Sequence, residues 1–184
     1  MADTLTITEA LAELKTIGKR LDKKQQFVLG YLVRPAVIRD PFEQEGGAAA
    51  KITAERQAIQ DLQARIVTIR SSIQKANHAT VVTIEGITMT IAEWLTWRKE
   101  VAPRIQTFLG QIRGQVASVR QQSATKGGKV VTEEPSGAGA ATNMDIMIHV
   151  DESKLAVEIE KVETVLGTLD GVLSLKNATT FVTL

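Results

Sequence analysis

Residues able to do chemistry are few in this 184-residue chain, which has no cysteine and only two histidines, His78 and His149. Neither histidine has a second imidazole or clustered carboxylates at the spacing of metal ligands. His78 follows a predicted helix end, where a cation is favourable, and His149 lies on a predicted strand, opposite the Ile146 and Ile148 face. Gly-x-Ser-x-Gly, dinucleotide-binding and His-Glu-x-x-His motifs are also absent. The sequence therefore predicts no catalytic residue, metal site, cofactor or small-molecule substrate.

Two polar stretches resemble binding loops only in composition. "KGGK" at 126–129 lacks the preceding strand and following helix that aim backbone amides at a phosphate, so we interpret it as a flexible basic loop. "EEPSGAGAATN" at 133–143 has two acids but no second acidic cluster for a calcium site, so we interpret it as solvated.

Charge is distributed unevenly along the chain, although the net charge is only +1. Residues 51–129 contain 5 acids and 12 bases, whereas residues 144–184 contain 7 acids and 3 bases. Such an asymmetry can pair two parts of one molecule or neighbouring copies. The basic residues are spread along helical faces without interleaved aromatic residues, which argues against a nucleic-acid surface. No apolar run approaches the roughly 20 residues of a membrane span, and the first residues do not resemble a signal peptide.

A tight hairpin is predicted by "TVVTIEGITMT" at 80–90. Two short strands, 80–84 and 87–89, flank a Glu85-Gly86 turn in which glycine accepts a positive φ. Thr90 and Glu93 then have the spacing of a capping box, which predicts that a helix begins here. "MTIAEWL" at 89–95 matches "LTITEAL" at 5–11 in five positions if Leu and Met are counted as equivalent. Because the match stops after one turn, we interpret it as a shared capping solution rather than an internal repeat.

Both tryptophans fall in the helix that follows the hairpin. Met89 and Trp94 have the spacing of a hydrophobic staple, which accounts for Trp94 structurally. Trp97, three residues further on, has two open interpretations, core packing or an exposed aromatic patch that faces a partner.

Apolar spacing predicts four helical segments. The first extends to about residue 29, and the second, from about residue 51, follows an uninterrupted heptad pattern typical of a coiled coil. The third, from Thr90 to about residue 122, contains Pro103, which predicts a kink near 99–103 or two helices in series. In the fourth, Asp151 or Ser153 is the predicted N-cap.

The connections differ in composition. Residues 34–47 contain two prolines and two glycines and predict an extended arm or irregular connection that leans on a surface. Residues 123–143 predict a mobile loop or linker. "MDIMIHV" and the final "TTFVTL" predict strands that either form a small sheet with the hairpin or complete a partner's sheet.

The chain is therefore predicted to be mainly α, a long heptad-patterned helical hairpin or bundle with a small β-hairpin and strand-like C-terminal pieces. The predicted parts are an N-terminal helix (1–33), an extended arm (34–50), a helical hairpin (51–122) with an inserted β-hairpin (80–89), a flexible loop (123–143), and a strand-helix-strand segment (144–184). The candidate interaction residues are Ile59, Leu62, Ile66, Ile69, Trp94, Trp97, Phe181 and Val182.

Long heptad helices, an extended arm, a Gly-rich loop and strand-like ends together resemble structural proteins of tailed-bacteriophage particles. "NHATVVTIEGITMTIAEWLTWRKEVAPR" at 77–104 is also similar to a helix, hairpin, helix unit of small phage proteins. The resemblance implies a virion protein of the head, neck or tail, made in the host cytoplasm, that contacts its own copies and a major shell or tube protein. The alternative is a cytosolic coiled-coil adaptor or assembly chaperone.

Overall fold

The computed structural model describes residues 4–131 and 145–184. This part of the chain is mainly helical with short strands, so the predicted fold class is confirmed. The helices are α1 (Ile7–Tyr31), α2 (Gly47–Ala79), α3 (Ile91–Thr96), α4 (Ala102–Thr125) and α5 (Glu152–Thr179). The strands are β1 (Thr4–Thr6), β2 (Val81–Ile84), β3 (Ile87–Thr90), β4 (Val130–Val131), β5 (Ile146–Met147) and β6 (Phe181–Thr183).

The strands within residues 4–131 and 145–184 form three two-stranded sheets. β1 pairs antiparallel with β6, so that Leu5 lies opposite Val182. β2 pairs with β3 in the predicted hairpin, and β4 pairs parallel with β5. The final strand therefore pairs with the start of the same chain rather than with the hairpin.

The chain divides into two compact units. The first unit contains the described residues up to 82, together with 90–92 and 172–184, and the second contains 83–89 and the described part of 93–171. In the first unit α1 packs along α2, with Ile17 and Ile69 buried. Arg65 pairs with Glu13 at 2.9 Å, and Lys24 pairs with Glu55 at 2.7 Å.

In the second unit α4 and the first part of α5 line one groove. Arg98 of the π turn before α4 pairs with Asp170 of α5, and Arg120 of α4 pairs with Glu152 of α5. The basic middle and the acidic last segment are thus paired within one molecule, which is one of the two arrangements that the charge asymmetry predicted.

This grouping corrects the predicted partition in which residues 51–122 form one helical hairpin. α2 belongs to the first unit and packs against α1, whereas α4 belongs to the second unit. The apolar period of a helix shows which of its faces is buried but carries no information on which other helix covers that face. The order of the helices along the chain was therefore insufficient to predict which helices pack together.

Local signals at the helix ends are observed as predicted. Glu9 N–H donates to Thr6 Oγ1 at 3.2 Å and Thr6 N–H donates to Glu9 Oε2 at 2.8 Å, which forms a capping box on α1. At α5 the N-cap is Asp151 rather than Ser153, because Asp151 Oδ1 accepts from the Ser153 and Lys154 amides at 3.0 and 3.2 Å.

The third predicted helix is divided near Pro103, as expected. α3 ends at Thr96, a π turn spans Trp97–Val101, and α4 begins at Ala102 with Pro103 in its first turn. Proline lacks a backbone N–H, so the start of a helix is the position where it breaks no hydrogen bond. The Ala102 N–H donates to the Trp97 carbonyl, five residues earlier. This π-type bond continues the helical hydrogen bonding from α3 into α4.

Glycine positions explain two of the turns. Glu85 and Gly86 have φ values of 48° and 75°, the two positive angles that a type I′ hairpin turn requires. At "KGGK" the Gly127 φ is 77°, the Gly127 amide donates to the Ala124 carbonyl, and the Gly128 amide donates to the Ser123 carbonyl. These bonds form a C-terminal cap on α4. This stretch therefore turns the chain directly after the end of α4. Its interpretation as a flexible basic loop stays a prediction.

The predicted loop 123–143 is only partly described. Residues 123–125 belong to α4, and residues 132–143 lie outside the described part of the chain. No helix within the described ranges is long and apolar enough to cross a membrane.

Candidate interaction surfaces

An aromatic cluster in the first unit fixes the connection between α1 and α2. The rings of Phe27 and Tyr31 on α1 lie 4.8 Å apart between centroids, and Phe42 of the connection lies 5.5 and 4.8 Å from them. The Lys51 ammonium lies 5.9 Å from the Phe42 ring centroid. The predicted arm therefore packs back against the helix that precedes it.

Hydrogen bonds from backbone amides order the same connection. The Ile38 amide donates to the Pro35 carbonyl at 3.1 Å, which closes a turn. The Asp40 carboxylate accepts from the Phe42 and Ala48 amides at 2.9 Å each. Both hydrogen bonds lower the pKa of the Asp40 carboxyl, and the bond from the Ala48 amide has the larger effect. Since Ala48 is in the first turn of α2, Asp40 acts as a cap on that helix from outside it.

Large aliphatic side chains project into solvent from the end of α1 and the start of this connection. We name residues 29–38 the apolar tip. The exposed fractions are 94% for Val37, 82% for Val33 and 69% for Leu29, and Leu32 and Ile38 are more than half exposed. Exposed single aliphatic residues are common on proteins, but five within ten positions form a patch of the kind that marks contact sites. The sequence signal was "LGYLVRPAVI", in which apolar residues occupy a proline-containing connection that should be polar.

The second unit has a groove of about 370 Å³ between α4 and α5. Val116, Leu155 and Ile159 supply aliphatic walls, and the basic residues Arg113 and Arg120 also line it. A smaller groove of about 140 Å³ continues along the same helices and shares Arg113 and Ile159. Arg120 of α4 pairs with Glu152 of α5 within the groove lining, so the guanidinium is already engaged by a carboxylate of the same chain.

The candidate interaction residues divide into three groups by exposure. Ile69, Trp94 and Val182 are buried, with exposed fractions of 0%, 0% and 3%. Phe181, next to Val182, is 64% exposed. The remaining candidates, which are half-buried, are Ile59, Leu62, Ile66 and Trp97.

The tryptophans form a pair within the second unit. Their ring centroids lie 5.6 Å apart at an interplanar angle of 83°, an edge-to-face arrangement. Trp94 is thus part of the core, as the staple spacing predicted, while Trp97 keeps part of its surface exposed.

Both histidines are exposed, His78 in the last turn of α2 and His149 just before α5. Across residues 4–131 and 145–184, no group of three or more His, Asp or Glu side chains has the arrangement of a metal site.

No protein-family model matches this chain, and no curated protein does. Among solved structures, the chain is similar to one described as a functionally unknown conserved protein from Corynebacterium diphtheriae. The two share 16% sequence identity and a TM-score of 0.52 over 98% of this chain and 99% of the other. At this identity the similarity concerns the fold alone, and it extends over nearly the whole of both chains.

Proposed function

We propose that this protein is a structural component of a larger assembly and that it works by contact rather than by catalysis. The observation that carries the proposal is the apolar tip, where Val33 and Val37 are more than four-fifths exposed on a connection held by specific hydrogen bonds. An ordered apolar protrusion is ready to enter an apolar groove of another protein with little loss of conformational entropy.

The chemistry of the tip defines the kind of partner. Its exposed residues are aliphatic, and the nearby charged side chains are engaged locally, since Arg34 donates to the Ile38 carbonyl and Arg39 pairs with Glu43. A partner should therefore present aliphatic or aromatic side chains in a concave surface, with few charges. The proposed setting is the particle of a tailed bacteriophage, which the architectural resemblance favours, with the protein contacting its own copies and a major shell or tube protein.

The test compares two kinds of exposed valine. We expect Val33→Asp combined with Val37→Asp to remove the protein from purified particles, because a carboxylate on the tip must lose its water to enter an apolar groove. Val67→Asp is the matched control, because Val67 on α2 is also exposed, at 68%, but lies outside the tip. Copy number in particles is measured by quantitative mass spectrometry, with circular dichroism to confirm folding.

Normal incorporation of the folded tip variant would show that the tip is not the contact surface. If the unmodified protein is missing from purified particles and occurs as a small discrete oligomer, the adaptor or chaperone alternative replaces the virion proposal.

A further inference from the structure

Two segments 100 residues apart are similar in sequence. "IQKANHATVVTI" at 73–84 and "LSLKNATTFVTL" at 173–184 share an Asn, two Thr and a Val at the same positions and have Ile or Leu at both ends. Each segment closes a long helix and enters a short strand, since α2 leads into β2 and α5 leads into β6.

The hydrogen bonds of the two segments are also equivalent. The Thr80 amide donates to the Ala76 carbonyl and the Thr180 amide to the Lys176 carbonyl, both at 2.9 Å. The Thr80 carbonyl in turn accepts from the first amide of α3, and the Thr180 carbonyl accepts from the first amide of α1, again at 2.9 Å. All of these residues belong to the first unit.

Equivalent positions in the two halves of the chain are also buried to the same degree. Near the helix and strand ends, Ile69 and Leu169 are completely buried, and Val82 and Val182 are 6% and 3% exposed. In the matched helix starts, 5–11 and 89–95, Ala10 and Trp94 are completely buried. Asn77 and Asn177 both have a buried side-chain oxygen without a hydrogen-bond partner. An unpaired buried oxygen is rare, so its occurrence at both equivalent positions is strong support for the relation.

These observations favour an internal repeat over the interpretation of "LTITEAL" and "MTIAEWL" as a shared capping solution. The matching starts at 4–11 and 88–95 and the matching ends at 73–84 and 173–184 define two repeats, 4–84 and the described part of 88–184. Each repeat begins and ends with a strand and has helices between them, and the second also contains β4 and β5. β2 ends the first repeat and pairs with β3, which begins the second, while β6 ends the second and pairs with β1, which begins the first.

The two strand pairings differ in one respect. A two-residue turn, Glu85-Gly86, holds β2 beside β3, whereas β6 is separated from β1 by the whole of both repeats. We propose that the β1–β6 pairing is also made between molecules, with β6 of one copy beside β1 of a second copy, so that copies join head to tail. This inference rests on the self-association within the proposed function and gives it a defined interface.

The exchanged pairing needs no new chemistry. A second copy offers the same backbone groups and the same pocket for Val182 as the chain itself does, so the choice between them depends on local concentration. Short flexible linkers give effective concentrations of about millimolar, so the pairing between copies should increase as the protein concentration rises toward that range. A head-to-tail contact either closes into a ring or continues as a filament.

The test uses disulfides, since the chain has no cysteine of its own. Thr4 lies opposite Thr183 in the β1–β6 pair, so Thr4→Cys with Thr183→Cys places two thiols across it. After refolding and oxidation at increasing protein concentration, we expect a rising fraction of covalent dimers and longer species. Peptide mass spectrometry should locate the link in these species between positions 4 and 183.

The matched control is Thr83→Cys with Thr88→Cys. These residues hold the equivalent positions in the β2–β3 hairpin, and their hydroxyl oxygens lie 2.9 Å apart. The two-residue turn favours the internal link strongly, so this variant should stay monomeric at every concentration.

An internal link alone in the 4/183 variant at the highest concentration would overturn the proposal. Dimers that lack the 4–183 link would overturn it equally. Neither result depends on the apolar tip, so failure here is distinguishable from failure of the proposed contact function.

Discussion

Trp94 is the largest side chain that the fold buries completely, and its partner position in the other repeat holds only Ala10. The two repeats therefore place side chains of very different volume at this equivalent buried position. The capping and staple pattern around Thr90 predicted the structural placement of Trp94, because that pattern involves residues close in sequence. It could not predict how fully the ring is enclosed, since this depends on residues from other elements.

Trp94→Ala should lower the free energy of unfolding by about 3–5 kcal/mol, because it leaves a large cavity in a well-packed position. Trp97→Ala should cost clearly less, since Trp97 is only half-buried. Urea denaturation followed by circular dichroism measures both. Equal losses for the two variants would contradict the core placement of Trp94.

Three carboxylates near helix N-termini share the same electrostatic situation. In each one, a hydrogen bond from a backbone amide is the main cause that lowers the carboxyl pKa. The amide of Thr6 bonds Glu9, that of Ala48 bonds Asp40, and that of Lys154 bonds Asp151. Because the folded state lowers these pKa values, it binds fewer protons than the unfolded state in the acidic range. The stability that they contribute is complete above the ordinary carboxyl pKa, about 4, and is lost as the pH falls through the lower folded value.

Asp151→Asn tests this pH dependence, because the amide oxygen still accepts hydrogen bonds but does not titrate. We expect the variant to be less stable than the unmodified protein at pH 7 and the difference to shrink toward pH 2. Thermal melting across this range measures the difference. A gap that stays constant with pH would show that the Asp151 charge contributes nothing to stability.

At the scale of helices and strands, the sequence predicted those elements whose ends are marked by residues close in sequence. The heptad pattern of α2 and the turn chemistry of Glu85-Gly86 are local, so both were recognised from sequence. α2 begins at Gly47, a few residues earlier than predicted, because Asp40 supplies its cap from a position that has no fixed spacing in sequence. The π turn before α4 was expected only as a kink or break at Pro103.

The alternation along β6 supports a prediction on strand placement. Val182→Asp should lower the free energy of unfolding by roughly 3 kcal/mol, because it puts an unpaired charge at a buried position. Phe181→Asp, on the exposed neighbour, should change stability by less than about 1 kcal/mol. Chemical denaturation at pH 7 measures the free energy of unfolding of both variants. Similar decreases in the two would mean that β6 does not present Val182 to the core.

For the whole molecule, the fold similarity to the Corynebacterium protein extends over nearly all of both chains, although the two share only 16% sequence identity. Ion pairs in the second unit absorb part of the charge asymmetry between the middle and the last segment. These pairs are largely exposed, so each contributes little stability, and their main effect is to favour one pairing of segments over others.

Equivalence of the two strand pairings predicts that the chain tolerates circular permutation. The variant begins at Thr88, ends at Ile84, and joins Leu184 to Thr4 through a copy of the Glu85-Gly86-Ile87 turn. We expect near-normal helicity and thermal stability, because the new hairpin reproduces the β2–β3 turn at β1–β6. A control linker of Pro-Pro-Pro in place of the turn should destabilise the fold, and equal stability of both variants would contradict turn equivalence.

The sequence by itself determined the helices, the tight turn at Glu85-Gly86, the capping box at Thr6 and the division at Pro103, because each depends on residues a few positions apart. Only the tertiary structure decided that α2 packs with α1, that β6 pairs with β1, and that the apolar tip stays uncovered. The reason is that periodicity identifies an apolar face without naming its partner, and a side chain's exposure depends on every element that packs near it.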